Sequence, residues 1–245
     1  MSAEGKCPEC GRDLVRREIV ESSHIIIAEG HAENHLLEKL LKNRDVEGFQ
    51  ILGNAQGKDD FENRLFAVSA LTGYQSVSVI VLVRDCDDDV RDALKETVKQ
   101  IKAFDETLPL PENVWELAKS NRSDVPDVAI MTLPRWQGCG CLETLVIDAL
   151  KTKHPSVYNL GNGLLASATV PASGLTGVAK KAKAQAACMV ACTCLDDPSC
   201  AVGHMWYKDK GYRSLLADNC FNDVVAFLSS LLPEGPTWIR PEDAA

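Results

Sequence analysis

Ser76–Asp89, SVSVIVLVRDCDDD, is the stretch whose reading decides the fold. An apolar, β-branched run from Val77 to Val83 stops in a polar segment that holds Asp85 and Asp87. Val90, Leu94, Val98 and Ile101 then recur at spacings of four, four and three, which puts them on one face of a helix. A buried strand, an acidic turn and an amphipathic helix follow one another without a gap. Loops at the carboxyl ends of parallel strands are where such sheets bind ligands. Two carboxylates one residue apart at that edge suit a divalent metal, which favours oxygen donors. A solvated acidic turn is the plainer alternative for this pair. Asp88 and Asp89 are expected to serve the helix that begins there, where negative charge is favourable.

The same alternation extends to both sides. His24–Ala28 (HIIIA) reads as a short buried strand ending in Glu29-Gly30, and His31–Asn43 as a helix with Leu36, Leu37, Leu40 and Leu41 on its buried face. A strand at 49–52, a turn at 53–57 and a helix at about 59–71 lead to the central strand. Beyond it, Pro109, Pro111 and the polar run 119–126 mark a surface excursion. A further strand is expected at 127–133, then a Gly- and Cys-containing loop at 134–140 and a helix from Leu142 to Leu150. Strands alternating with helices at this rhythm mean βαβ units and a mainly parallel sheet covered on both faces. From 151 the pattern changes. Residues 155–178, rich in Gly, Ser, Ala and Thr, read as a long ordered loop or lid, with helices resuming near 178–194 and 218–231. The expected organisation is an arm at 1–22, an α/β domain at 23–150, and a mostly helical extension at 151–245 packed on the core.

A chain of 245 residues with 45% hydrophobic and 25% charged residues buries a full core without disulfide support. The formal net charge of −9 argues against long-range steering onto nucleic acid, though not against nucleic acid held through metal ions and a local basic face. The polar, charged start lacks a signal-peptide pattern, and no apolar run approaches the roughly 20 residues of a membrane-spanning helix. A cytoplasmic location without a membrane partner is the expectation. Ten cysteines in that setting stay reduced; Cys188, Cys192 and Cys220 read as small buried hydrophobes. Cys7-Pro8-Glu9-Cys10-Gly11 is half of a zinc knuckle. Cys139 and Cys141 have the wrong spacing to complete it, whereas the arm of a second subunit in a homodimer would supply the missing pair. An unliganded turn is the other reading of Cys7 and Cys10.

The acidic positions fall at comparable places. Glu29 ends the first strand, Asp85 and Asp87 end the third, and Glu143 opens the helix after the last. The carboxyl ends of parallel strands share one edge, so these residues converge although far apart in sequence. Clustered carboxylates of this kind hold Mg²⁺ or Mn²⁺ for phosphodiester chemistry. Glu143 has an equal alternative as an ordinary first-turn residue, while a buried Glu29 is costly without a partner. Lys58, Lys180, Lys181 and Lys183 are candidates for stabilising charge on a phosphate, each with a solvated face as its alternative. His31 and His24 flank the first strand. The four tryptophans, among them Trp136 and Trp238, are too scattered to form a base-stacking platform, and His204–Tyr207 is expected to pack the extension onto the core.

A strand with Glu29-Gly30-x-x-Glu33, followed about 55 residues later by a strand with Asp85-x-Asp87, resembles the Toprim domain of topoisomerases, primases and OLD-family nucleases. The minimal form here, over roughly residues 23–150, is most similar to the small stand-alone Toprim-like proteins of bacteria and archaea. The resemblance implies a Rossmann-type parallel sheet and a metal-dependent nuclease site. Glu29 would be the Toprim glutamate, a metal ligand or general acid/base. Asp85 and Asp87 would be the Asp-x-Asp metal ligands, Glu33 the acidic residue on the next helical turn, and Glu143 the later residue that helps hold a second metal. The ATPase domain that accompanies OLD nucleases is absent from this sequence, so nucleotide-driven control would require a separate ATPase partner. Topoisomerase and primase activities lack their tyrosine context and their complete zinc domain. Two other expectations stand beside the nuclease: a non-catalytic binding or regulatory module, and a metal-dependent hydrolase of a small phosphorylated molecule.

Overall fold

The computed structural model describes residues 18–135, 139–167, 177–194, 202–206 and 211–233. Five strands form one sheet: β1 (His24–Ala28), β2 (Phe49–Ile51), β3 (Val79–Asp85), β4 (Leu117–Ala118) and β5 (Asp127–Leu133). Their order is β2-β1-β3-β5-β4, with every pairing parallel except the antiparallel edge pair β4/β5. The helices are α1 (His31–Asn43), α2 (Phe61–Ser69), α3 (Val90–Phe104), α4 (Leu142–Lys153), α5 (Pro155–Ser167), α6 (Val178–Thr193) and α7 (Asn222–Ser230). The expected α/β fold with a mainly parallel sheet and a helical region after residue 150 is what the chain adopts.

Strand periodicity divides the core. Ile26, Ala28, Val79, Val81, Val83, Ala129, Met131 and Leu133 point to one face, where they pack with Leu36, Leu37 and Leu40 of α1 and the buried sides of α4 and α6. Ile25, Ile27, Ile80, Leu82, Val128 and Ile130 point to the other, against Phe61, Leu65 and Val68 of α2 and Ile101 of α3. A strand buried on both sides has to be apolar throughout, and this is why the sequence of β3 lacks polar alternation.

Beyond shifts of a few residues at element ends, three differences from the sequence reading matter. The third strand runs two residues beyond Val83, because its pairing with β5 continues to Asp85 opposite Leu133. Asp85 is therefore the last residue of a strand, 2% exposed, and not part of a solvated turn. The excursion before β5 returns to the sheet as β4, and Trp115, at a left-handed φ of 63°, is buried beside it. The third difference is larger. Residues 155–167, expected as loop, are α5, and one of its two glycines has a packing purpose: a Cβ on Gly161 would lie 2.5 Å from Met189 Cγ and 3.2 Å from the Met189 nitrogen, whereas one on Gly163 would meet nothing. Gly161 lets α5 and α6 approach closely, and Gln185 Nε2 donates to Asn162 Oδ1 across the same seam. Residues 168–176 lie outside the described chain.

Past α6, Met205 and Trp206 are fully buried in the core cluster, as are Leu215, Phe221 and Leu228. Among the described cysteines Cys86, Cys141 and Cys194 are buried, whereas Cys188, Cys192 and Cys220, expected to be buried, are only partly so. Cys188 and Cys192 lie on the less covered side of α6, whose buried face is Ala179, Ala182, Ala186, Met189 and Val190. Cys7, Cys10, Trp136, Trp238 and the side chain of His204 lie outside the described residues. No described helix is long and apolar enough to cross a membrane.

Candidate metal centre

In an open parallel sheet the crevice for a ligand forms where successive connections leave a strand toward opposite sides. Here β1 connects to β2 on one side of it, and β2 then connects to β3 on the other, so the crevice lies between the carboxyl ends of β1 and β3. Glu29 follows the first of these strands and Asp85 ends the second. They meet: Glu29 Oε2 accepts the Asp85 N–H at 3.2 Å, while the Glu29 N–H continues the sheet ladder to the Val83 carbonyl at 2.7 Å.

Asp85 is held at both oxygens. Oδ1 accepts the Leu142 N–H at 2.8 Å, at the amino end of α4, and Oδ2 accepts from Lys183 Nζ at 2.9 Å. The first contact uses an N–H that the opening turn of a helix leaves free. The second comes from α6, 98 positions along the chain. Burial pushes the Asp85 carboxyl above its usual value, offset in part by Lys183 and by the Leu142 N–H and reinforced by Glu143. Burial pulls the Lys183 ammonium down, but the Asp85 charge and hydrogen bond outweigh it and raise the group overall. The two directions compete, since a raised Asp85 favours a neutral carboxyl and a raised Lys183 favours a charged pair. With a backbone N–H on one oxygen and an ammonium on the other, the geometry is that of a carboxylate, and the charged pair is the state it holds.

Glu33, in the first turn of α1, is 8% exposed and turned toward the same crevice. Gly30 makes this possible, because a Cβ there would stand 2.6 Å from Glu33 Oε2. Burial raises the Glu33 carboxyl to about 7, with Asp85, Glu29 and Glu143 adding repulsion. Glu29 is raised for the same reasons, burial first and Asp85 second.

The loops after β3 and β5 are locked together. Asp87, at a left-handed φ of 54°, exchanges two backbone hydrogen bonds with Gly140, 2.7 Å from its N–H and 2.6 Å to its carbonyl. Gly140 has a φ of 127°, and a Cβ there would come within 2.9 Å of both Pro134 Cδ and Thr144 Oγ1. Glycine is required at that position. The lock seats the start of α4 beside Asp85, so that ligand atoms of Asp85, Cys141 and Glu143 lie within 4.8 Å of one another. Glu143 Oε2 is buried and finds no hydrogen-bond partner among the described residues. Burial, then the Glu143 and Asp85 carboxylates, push the Cys141 thiol up to about 12.

The sequence-selected residues thus divide. Glu29, Glu33, Asp85, Glu143 and Lys183 converge on the crevice. Asp87 stands at its rim, about one-third exposed, with its Oδ2 3.3 Å from Lys58 Nζ. That hydrogen bond, before all else, raises the Lys58 ammonium. Lys180 and Lys181 are exposed and make no ion pair with described residues. His31 is exposed at the start of α1. His24 sits at the opposite end of β1, where its Nε2 meets the Leu231 carbonyl at 3.1 Å, and burial lowers it. Asp89 caps α3 by accepting the Arg91 N–H at 2.7 Å, as expected. Asp88 instead lies against the start of α6, where a Cβ on Gly177 would be 2.6 Å from its Oδ1.

Two participants are not apparent from the sequence alone. Cys141 is set aside there because its spacing from Cys139 does not complete a zinc knuckle, yet it lies two residues before Glu143 on the strand-to-helix turn that carries the site. Arg84 is 1% exposed beneath Asp85, donating to the Asp85 and Ala93 carbonyls and to Thr97 Oγ1, with Glu96 3.6 Å away. An arginine closing a run of Val, Ile and Leu is the signal available for it.

A family model described as a protein of unknown function (DUF3226) matches residues 23–193. The chain belongs to that family. The span shared with DUF3226 begins just before β1 and ends with α6, so it contains each converging carboxylate and Lys183 as well. It crosses residue 150 without a break. Neither the comparison with curated proteins nor that with solved structures found a match.

Proposed function

We propose that this protein is a divalent-metal-dependent phosphodiesterase acting on nucleic acid, with Mg²⁺ or Mn²⁺ as its cation. One observation carries the reading: Glu29, Glu33, Asp85 and Glu143 crowd the crevice between β1 and β3, and among the described residues the one ammonium hydrogen-bonded within it is that of Lys183. Burying several carboxylates against one half-exposed lysine is costly unless protons or a cation balance them. The order Glu29-Gly30-x-x-Glu33 and Asp85-x-Asp87 on neighbouring strands agrees with the Toprim pattern that the sequence resembles.

The donors fit a hard cation. They are carboxylate oxygens, one of them the unpartnered Glu143 Oε2, and such a set suits Mg²⁺ or Mn²⁺. Asp85, Glu29, Glu33 and Glu143 would hold the ion, with Asp87 reaching it from the rim. A bound divalent ion supplies charge stabilisation at phosphoryl oxygens and lowers the pKa of coordinated water. Glu33, raised to about 7 by burial and its carboxylate neighbours, would give up its proton as the ion binds. Lys183 and Lys58 place ammonium groups at two sides of the crevice, where each can face a phosphate oxygen.

The test is cleavage of supercoiled plasmid and short single strands with Mg²⁺ or Mn²⁺, with wild type beside Glu29→Gln and Asp85→Asn after circular dichroism has verified their folding. Activity lost in both variants supports the assignment; activity that survives both substitutions removes it. The charged Asp85–Lys183 pair favours a second reading, a non-catalytic module whose acidic cluster is balanced internally. That reading requires wild type to bind no Mn²⁺ in calorimetry and to cleave nothing.

A further inference from the structure

We propose that the outer face of α3 is a track for a single nucleic-acid strand leading to the crevice, an inference that rests on the nuclease reading and names how its substrate is held. Arg91, Lys95, Lys99 and Lys102 are spaced by four, four and three residues and all are exposed. At about 100° per residue they fall within about 80° of arc on the helix. At about 1.5 Å per residue the row is about 16 Å long, the axial length of roughly five nucleotides when they are stacked as in a duplex strand, at about 3.4 Å each. None of the four makes an ion pair with a described residue. Together with Leu94 and Val98 they line an open hollow of ≈ 720 Å³.

The charge on this face is not cancelled locally. Of the two acids that line the hollow, Glu96 is engaged by the buried Arg84 at 3.6 Å, leaving Asp92 on the flank, and Asp89 at the start of the helix is turned to the Arg91 N–H as its cap. Four cations gathered on one helix of a chain with net charge −9 concentrate its positive potential on one surface. Helix electrostatics does not account for the row. A lysine near the carboxyl end is favourable there, but Arg91 stands in the first turn, where a cation opposes the dipole. The row also has a direction. Arg91 follows the Asp89 cap just past the carboxyl end of β3, so the row starts beside the acidic edge. A strand lying along α3 would reach the carboxylate edge with its phosphates already balanced.

The experiment uses the full chain and a fluorescein-labelled 20-nucleotide oligo-dT in fluorescence anisotropy with EDTA present, over a series of salt concentrations. Lys95→Gln/Lys99→Gln/Lys102→Gln should bind at least tenfold more weakly. Its slope of log affinity against log salt should fall by about 2, near 0.7 for each phosphate that a lysine no longer neutralises. Lys95→Arg/Lys99→Arg/Lys102→Arg, which keeps the charge, should bind within twofold of wild type. A Gln variant with unchanged affinity and slope overturns the track. So does a Gln variant that loses only binding to phosphatidylserine vesicles. Hydrolysis of bis(p-nitrophenyl) phosphate with Mn²⁺ separates this proposal from the catalytic one. If wild type leaves the small diester intact while oligonucleotide binding still depends on the lysines, the track stands and the catalytic reading falls. If the diester is hydrolysed and the Gln variant binds DNA normally, the track falls and the catalytic reading stands.

Discussion

Replacing Glu33 with Gln tests the crowding of the crevice through pH. Glu33 lies 8% exposed among carboxylates, and burial with their repulsion moves it from an ordinary 4.5 to about 7. At about 1.4 kcal/mol per pH unit, that interval makes the ionised Glu33 about 3 kcal/mol less favourable in the folded protein than in the unfolded chain. Below pH 4.5 both states carry the proton, and the group is neutral in its effect. Between pH 4.5 and 7 the folded state holds a proton that the unfolded state has released, so stability falls as pH rises. Above pH 7 the loss is complete and constant. Urea unfolding followed by circular dichroism from pH 4 to pH 8, in EDTA, measures this directly. The stability of Glu33→Gln minus that of wild type should grow by about 3 kcal/mol across the window. A difference that stays flat, or that shrinks with rising pH, would refute the claim that Glu33 is buried beside other carboxylates. Adding Mg²⁺ at pH 8 should close most of the gap by stabilising wild type, because a cation relieves the repulsion that Gln removes.

Asp85→Asn should weaken Mn²⁺ binding at least tenfold in calorimetry; an unchanged affinity would exclude Asp85 from the ligand set. Lys183→Met should act in opposite directions on two readouts. It removes a competing cation and so tightens Mn²⁺ binding, while metal-free stability at pH 8 falls by about 1–2 kcal/mol, less than the 3–5 of a fully buried pair because Lys183 is half exposed. Gly161→Val should cost about 1–3 kcal/mol in urea unfolding, since its side chain would press into Met189 and force α5 from α6; a neutral effect would contradict that close approach.

The sequence made β1, β2, β3 and β5 legible because each is a largely apolar run bounded by polar or turn-forming residues, whereas the two-residue β4 is too short to show such a pattern. β1, β5 and α1 match their expected limits residue for residue. Reading Val83 as the end of β3 failed because Arg84 and Asp85 are charged, and their burial depends on partners that lie elsewhere in the chain. Thr97 and Glu96 receive the arginine, and Leu142 and Lys183 receive the aspartate. Composition misled at α5 because Gly161 signals a loop by propensity, whereas its use is contact with Met189. The carboxylates could be assembled on paper, since parallel strands share an edge. Choosing Lys183 over Lys180 and Lys181 could not be done, because all three are lysines near the start of one helix and only the seating of α6 decides which reaches Asp85.

That seating also has a consequence for synthesis. Asp85 leaves the ribosome 98 residues before Lys183, which at roughly 5–20 residues per second is a delay of roughly 5–20 s. Through that interval the nascent crevice has only protons and dissolved cations to balance its charge. Magnesium in the translation medium therefore stands in for a lysine that has not yet been made, and the yield of folded chain should follow its concentration.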